Sequence, residues 1–184
     1  MKLLSVNIGR ARMIKAKSGR SGIFKIPTAA PVRITTFGLE GDAIVDVENH
    51  GGEDQAVYVF GGTDYEWWMK SLGKTLAPGT FGENMTISDL ESAPLRKADR
   101  LLVGPVVLEI TWPRIPCVTL ATRMGDPTFV KRFRQAERPG VYCRVITPGI
   151  VQAGDLVSLA PYEGESPTVL QMFREYYQKN AGDS

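Results

Sequence analysis

A thiol and a guanidinium stand three residues apart in a segment with two prolines, TWPRIPC at 111–117. Proline fixes φ and leaves its neighbours little conformational entropy to lose, which suits a preorganised site. If Arg114 lies close to Cys117, its positive charge favours the thiolate, which acts as a nucleophile, a sulfur carrier or a ligand for a soft metal. The alternative is a buried, inert cysteine. The second cysteine, Cys143, lies in an apolar stretch and is assigned to the core.

The sole histidine, His50, begins the segment HGGEDQAV at 50–57, which follows GLEGD at 38–42. Four glycines within fifteen residues indicate unusual backbone conformations or close approach of a ligand to main-chain amides, so Gly51 and Gly52 are candidate contacts. A single histidine cannot build the multi-histidine site of the usual zinc hydrolases. His50 is suited to bonding an anionic or heterocyclic ligand, or to moving a proton near neutral pH; alternatively, it fixes its own loop through nearby carboxylates.

The turn Gly82-Glu83-Asn84 offers backbone donors and an amide side chain, so Asn84 is another candidate contact; the same turn also fits a structural role. Cys117 and His50 allow a cysteine-protease pairing, but no nucleophile elbow supports it. The sequence contains no GxGxxG or P-loop pattern, which excludes typical dinucleotide and nucleoside-triphosphate enzymes.

The charges are divided unevenly along the chain. Residues 1–39 contain eight basic and no acidic side chains, whereas the rest of the chain contains 14 basic and 20 acidic ones. Such a segment attracts nucleic acid, a phosphate-bearing ligand or a membrane surface, or is a solvated loop. Nucleic acid usually requires aromatic residues between the basic ones, and Phe24 is the single aromatic residue before Phe37. A compact anion such as phosphate is therefore the expected partner.

Length and composition predict one domain. The chain has 184 residues, of which 43% are hydrophobic and 23% are charged, and these values exclude disorder, collagen and disulfide scaffolds. Its 19 glycines and 12 prolines argue against a helical bundle. The sequence contains no secretory core or transmembrane run, and its strand-like start argues against a targeting peptide. We therefore expect a cytoplasmic protein with no membrane or nucleic-acid partner.

Alternating apolar residues predict the strands that must position these segments. Strands are expected at 2–8, 32–36, 55–60, 100–103, 106–112, 141–146 and 155–159. Helices are expected at 63–72, 126–136 and 168–178. The pattern predicts a mainly β (β-rich α+β) fold, with strands forming a closed or nearly closed β-barrel and a few short helices, one of them C-terminal.

Taken in order, these segments resemble the MOSC domain, the module named for the C-terminal part of molybdenum cofactor sulfurase, and specifically its YiiM-like single-domain branch. The matching pieces are GIFK at 22–25, GLEGD at 38–42, Asp46, HGGEDQAV at 50–57, FGEN at 81–84, PRIPC at 113–117 and VYCRVITPGIVQAGDLVSL at 141–159. The resemblance implies a MOSC-type β-barrel domain over residues 1–160. Residues 161–184 would then form a short C-terminal helical tail.

The resemblance also implies binding of the pterin-based molybdenum cofactor. In relatives, the cysteine that matches Cys117 is the catalytic thiolate, which coordinates molybdenum or carries sulfur as a persulfide. Arg114 and Lys25 would supply the positive potential that favours the thiolate. The cofactor's phosphate would be held by Arg20 and Lys25.

Two functions remain open, and both give His50, Gly51, Gly52 and Asn84 contacts to the pterin or to oxo ligands of the metal. In the first, the protein is an oxidoreductase that reduces small N-hydroxylated compounds, with Cys117 as the molybdenum ligand. Its electrons would come from external electron-transfer proteins, because the sequence contains no flavin, nicotinamide or cluster signature. In the second, it is a non-catalytic module that holds the cofactor or relays sulfur through a persulfide. Of these two functions, we expect the first, the oxidoreductase.

Overall fold

The fold was determined from a computed structural model that describes residues 1–14, 19–43 and 52–180. These residues contain thirteen strands and four α-helices. The strands are β1 (Leu3–Gly9), β2 (Arg12–Met13), β3 (Arg20–Ser21), β4 (Lys25–Thr28), β5 (Val32–Thr35), β6 (Gly38–Leu39), β7 (Val57–Gly61), β8 (Met85–Ile87), β9 (Arg100–Val103), β10 (Val106–Pro113), β11 (Val141–Thr147), β12 (Gly149–Val151) and β13 (Val157–Ala160). The helices are α1 (Gly62–Leu72), α2 (Val118–Met124), α3 (Phe129–Ala136) and α4 (Val169–Lys179).

Eight of the strands form one sheet in the order β13-β9-β10-β11-β7-β8-β1-β4. Neighbouring strands are antiparallel except β7 and β8, which run parallel with Val59 opposite Met85. Strands β12, β5 and β6 form a second small sheet, and β2 and β3 form a hairpin in which Met13 pairs with Arg20. The main sheet therefore brings residues from distant parts of the sequence to its edges.

The β-rich α+β class is confirmed, but the predicted barrel is not closed. Among the described strands, β13 and β4 stand at opposite ends of the main sheet and do not pair. Residues 1–3 meet residues 154–157 through one bridge, Lys2 to Leu156, and three backbone hydrogen bonds. These bonds run from Leu3 N to Asp155 O at 2.9 Å, from Gly154 N to Leu3 O at 2.7 Å and from Val157 N to Met1 O at 3.0 Å. Because this contact involves only a few residues, the barrel prediction is corrected to an open sheet.

Two hydrophobic clusters stabilise the fold, and the helices supply much of the second one. The first cluster is mainly aliphatic and contains inward-facing strand residues such as Leu101 and Val103 of β9, which alternate with exposed neighbours. The second is aromatic. Trp68 of α1 packs against Phe129 and Phe133 of α3, with ring centroids 5.1 and 5.7 Å apart. The spacing of these phenylalanines, four residues apart, places both on one face of α3.

The main predicted elements are present with small shifts at their ends. The pairing of Val106 with Val103 confirms the hairpin at Gly104-Pro105, and α1, α3 and α4 correspond to the three predicted helices. One helix, α2, was not predicted, and it begins directly after Cys117. No helix in the described part of the chain is long and apolar enough to span a membrane.

Candidate functional site

An open pocket of about 100 Å³ lies where several strands of the main sheet begin or end. Its walls come from the ends of adjacent strands. Arg114 follows β10, Tyr142 and Tyr58 are the second residues of β11 and β7, Asn84 directly precedes β8, and Lys25 begins β4. The end of β10 meets the start of β11 because these strands are antiparallel, with Pro113 opposite Val141. Strands β11 and β7 are also antiparallel but pair over only three residues, and this register sets Tyr142 opposite Tyr58.

Cys117 lines this pocket at the position where the chain turns from an extended segment into a helix. Its φ of −130° and ψ of 173° are extended, and its carbonyl oxygen accepts from Leu120 N at 3.0 Å as α2 begins. The side chain of Cys117 is half-buried. Val118, the next residue, is 67% exposed, and Thr119 lines the pocket. The thiol is therefore held by the start of α2 at a place that a small ligand can reach.

Arg114 is a buried guanidinium on the same wall, only 5% exposed. It donates to the carbonyl oxygen of Phe81 and lies over the ring of Tyr58, 5.1 Å from the centroid. Burial lowers the pKa of Arg114, but the nearby Tyr142, Tyr58 and Cys117, when ionised, raise it by more, so the net shift of its pKa is upward. Arg114 therefore keeps its charge, and its attraction for Cys117 favours the thiolate.

Lys25 forms a buried ion pair with Asp42 in the pocket wall. Burial lowers the pKa of Lys25, and the charge and hydrogen bond of Asp42 oppose this effect. Asp42 also accepts from Gly9 N and from the side-chain amide of Asn84, both at 2.8 Å. The other end of the Asn84 amide, its Oδ1, accepts from Tyr58 N at 3.1 Å. These bonds fix the charged wall and occupy most of the hydrogen-bonding groups of Asn84.

A fully buried carboxylate, Glu83, was not singled out in the sequence and organises the loop behind the pocket. It accepts from the hydroxyls of Tyr65 at 2.7 Å and Thr86 at 2.9 Å, and from the backbone N–H groups of Gly79 and Phe81 at 2.5 and 3.2 Å. Burial raises the pKa of Glu83, and these hydrogen bonds lower it by less, so the net shift is upward. Because Glu83 holds Phe81, it positions the carbonyl that binds Arg114.

Two pocket tyrosines were also missed by the sequence analysis. Tyr58 and Tyr142 lie opposite one another on β7 and β11, with ring centroids 5.1 Å apart. Burial raises the pKa of both hydroxyls, while the charge of Arg114 lowers them by less. Both rings are thus neutral near pH 7. The Tyr58 hydroxyl donates to Pro139 O at 2.8 Å.

The structure brings together five of the predicted site residues, Arg20, Lys25, Asn84, Arg114 and Cys117, in one pocket wall. Arg20 reaches it from the β2–β3 hairpin and is exposed. Gly52 is described but is not part of this wall; it begins the 3₁₀ turn at Glu53–Gln55, with a φ of 91°. His50 and Gly51 lie outside the described residues.

The described residues fit the pterin-based molybdenum cofactor, which carries a phosphate, a polar ring system and a soft metal. Of the charged side chains that line the described pocket, three are cationic and only Asp42 is acidic. The Nε of Arg114 is buried and has no hydrogen-bond partner among the described residues, so it is a donor suited to a ligand oxygen. The thiol of Cys117 lines the same pocket, and soft metals prefer thiolates. No group of three His, Cys, Asp or Glu side chains within residues 1–14, 19–43 and 52–180 could by itself hold a metal ion.

Comparisons with known proteins show which family this chain resembles. The profile of the MOSC domain matches residues 46–158. YflK from Bacillus subtilis (strain 168) is 33% identical over 154 residues, which cover 83% of this chain and 70% of YflK. A protein named reductase from Gibberella moniliformis is 29% identical over 97% of this chain, but the chain spans only 32% of that protein.

A solved structure shows the same fold. YiiM from Geobacillus stearothermophilus superposes with a TM-score of 0.79 at 24% sequence identity, over 97% of this chain and 85% of that one. This chain therefore has the overall fold of that YiiM structure.

Proposed function

The chain belongs to the MOSC domain family, and from that premise we propose that it binds the pterin-based molybdenum cofactor and reduces small N-hydroxylated compounds. The observation that carries the proposal is that Cys117 and the buried, partly unsatisfied guanidinium of Arg114 line one pocket. The fungal relative named reductase supports a reductive activity.

The pocket's own residues would perform the binding. Arg20 and Lys25 would hold the cofactor's phosphate, because charge-assisted hydrogen bonds are strongest between a cation and an anionic oxygen. Cys117 would be the thiolate ligand, kept ionised by Arg114. When bound, the cofactor would supply two-electron redox chemistry and a metal that accepts an oxygen atom.

The overall reaction breaks one N–O bond. It consumes two electrons and two protons, and it releases the reduced nitrogen compound and water. Tyr142 would offer one neutral O–H group to the pocket, because burial raises the pKa of its hydroxyl. The chain has only two cysteines, too few for an iron–sulfur cluster, so the electrons would come from separate electron-transfer proteins.

The proposal is tested by expressing the protein in a host that makes the cofactor and measuring molybdenum and pterin per chain. We expect near-stoichiometric amounts in the wild type, loss of the metal in Cys117→Ala, and no loss in the control Cys143→Ala, whose thiol is fully buried outside the pocket. The wild type should also oxidise a reduced viologen dye when an amidoxime is added, and Cys117→Ala should not.

Two results would overturn this proposal. Absence of both metal and pterin from the wild type would exclude cofactor binding. Bound cofactor without turnover of any amidoxime, together with a persulfide on Cys117, would assign the chain to sulfur relay instead.

A further inference from the structure

A second unsatisfied polar atom lies in the same pocket and has no role in the proposed function above. Gln55 lines the pocket, and its Oε1 is buried without a hydrogen-bond partner in the described part of the chain. Buried acceptors are nearly always bonded, so such an atom requires an explanation. A ligand that fills the pocket is the simplest one.

The position of Gln55 is built by two strands of the main sheet. The preceding residue, Asp54, accepts a hydrogen bond of 2.5 Å at its backbone oxygen from the hydroxyl of Thr111 on β10. Its carboxylate accepts from Arg144 Nε on β11 at 2.9 Å. Gln55 N also donates to Gly52 O at 3.1 Å and closes the turn. The backbone around Gln55 is therefore held in place by hydrogen bonds to β10 and β11 and by the bond that closes the turn.

The chemistry of Oε1 restricts what the ligand can be. A carbonyl oxygen accepts only, so its partner must carry an N–H or an O–H. A fully ionised phosphate has acceptors alone and satisfies Arg114, but it leaves Oε1 unpaired. The two unsatisfied atoms, Arg114 Nε and Gln55 Oε1, are a donor and an acceptor on the wall of one pocket. Together they match a ligand that presents an acceptor and a donor.

We infer that Gln55 is a specificity-determining residue that accepts a hydrogen bond from an N–H or O–H group of the ligand. The inference rests on the proposed function, which offers two sources for such a donor. One source is the ring N–H and amino groups of the pterin, and the other is the N-hydroxyl group of the substrate.

The test compares Gln55→Met with Gln152→Met, an exposed glutamine outside the pocket. Methionine keeps the volume and removes the acceptor. Both variants and the wild type are made in a host that supplies the cofactor, and pterin per chain and the KM for an amidoxime are measured. The melting temperature of each protein is measured after expression in a host that lacks the cofactor.

We expect Gln55→Met to lower pterin content several-fold if the donor belongs to the cofactor. If the donor belongs to the substrate, pterin content is normal and KM rises about tenfold, the effect of one unmade buried hydrogen bond. Gln152→Met should match the wild type in both measurements. Unchanged pterin content together with an unchanged KM for Gln55→Met would overturn the inference.

The melting temperature separates this inference from the proposed function. Oε1 has no described protein bond to lose, so Gln55→Met should melt at or above the wild-type temperature without cofactor. If the wild type retains no pterin, the proposed function fails, and a melting temperature of Gln55→Met above that of the wild type still supports a ligand contact, because it shows that the unpaired Oε1 lowers stability. An unchanged melting temperature would in that case overturn the inference. A marked fall in the melting temperature of Gln55→Met would show a structural role and overturn the inference.

Discussion

At the scale of single residues, the charged wall of the pocket depends on one buried ion pair. Lys25 and Asp42 have side chains only 8% and 5% exposed. Two charges leave water at a high cost that is offset only when they pair and bond further, as Asp42 does with Gly9 N and Asn84. Each of the two charges is therefore stable in the pocket wall only while the other is present. Removing one partner leaves the other as an unpaired buried charge.

We predict that Asp42→Asn lowers the free energy of unfolding by about 3–5 kcal/mol, because it leaves Lys25 buried without its counter-charge. Urea unfolding measures the loss. The exposed pair Arg33–Glu40 provides the control, since Glu40→Gln should cost less than about 1 kcal/mol. Equal effects of the two substitutions would contradict the account.

The sequence identified the residues with conspicuous chemistry better than those that position them. Cys117 and Arg114 were evident from their types and spacing. Tyr58 and Tyr142 were not, because each lies in an apolar strand pattern that indicates core, and their meeting depends on the pairing of β7 with β11. Glu83 stands in a turn, where carboxylates are usually exposed, and its burial depends on contacts with α1 and β8.

At the scale of elements, α2 is clamped onto the loop that supports Arg114. Arg123, in the last turn of α2, donates to Thr80 O at 2.8 Å and to Gly79 O at 3.1 Å. Its guanidinium also lies over the ring of Phe24, 4.9 Å from the centroid. Because Cys117 begins the same helix, this clamp fixes the thiol relative to the pocket.

Arg123→Met should loosen this clamp. We expect the free energy of unfolding to fall by about 1–3 kcal/mol, since two charge-assisted hydrogen bonds are lost. Alkylation of Cys117, followed by peptide mass spectrometry, should become several-fold faster. Arg132→Met, which breaks the partly exposed ion pair with Asp126, is the matched control and should leave the alkylation rate unchanged. Faster alkylation in both variants would exclude a specific role for the clamp.

A close approach of two backbone segments forms another part of the pocket wall. A Cβ placed on Gly22 would stand 1.9 Å from the carbonyl oxygen of Ala43, and both residues line the pocket. The backbone oxygen cannot move aside as a flexible side chain can. The absence of a side chain at Gly22 is therefore required by packing.

Gly22→Ala should consequently lower the free energy of unfolding by about 1–3 kcal/mol through overpacking, and should reduce cofactor retention. Gly164→Ala is the control, because its added Cβ meets only the side chain of Tyr162, which can rotate away. Thermal unfolding and pterin content measure the two effects. A Gly22→Ala protein as stable as Gly164→Ala would show that the segments separate easily.

The elements that the sequence missed are those without local signals. Helix α2 has Cys117 at its N-cap, with no side-chain hydrogen bond to the first turn, so the usual Ser, Thr, Asp or Asn signal is missing. Strands β2, β3 and β6 have two residues each, too few to show alternation. The long strands β10 and β11 carry clear alternation or apolar runs and were predicted nearly to their ends.

At the scale of the whole molecule, strand order decides where the chemistry lies. The order β10-β11-β7-β8, together with the three-residue overlap of the antiparallel strands β11 and β7, sets the residues after β10 near the starts of the next three strands. Segments separated by more than fifty residues, such as those of Tyr58 and Arg114, thereby share one pocket. Local sequence patterns do not indicate which strands pair. The prediction of the β-rich class was therefore right, whereas the prediction of a closed barrel was wrong.

Burial of several tyrosines and of one cysteine makes the fold sensitive to alkali. Burial raises the pKa of Tyr58, Tyr65 and Tyr142 above 10.0, and it raises the pKa of the Cys143 thiol above 9.0. In the unfolded chain these groups lose their protons at ordinary pKa values. Above those values the native state binds more protons than the unfolded state, so stability falls as pH rises.

Lys25 acts in the opposite direction, because burial lowers its pKa below 10.5 and the unfolded chain then binds the additional proton. Burial also raises the pKa of Tyr177, to about 12, so four tyrosines and one thiol outweigh one lysine. We therefore expect the free energy of unfolding to fall by about 4 kcal/mol between pH 10 and pH 11, at about 1 kcal/mol for each group. Urea unfolding across this range, with tyrosinate absorbance as a second signal, measures the loss.

In Tyr142→Phe one group no longer titrates, so the fall should be smaller by about 1 kcal/mol. A free energy of unfolding that is constant from pH 9 to pH 11 would show that these side chains reach water in the native protein.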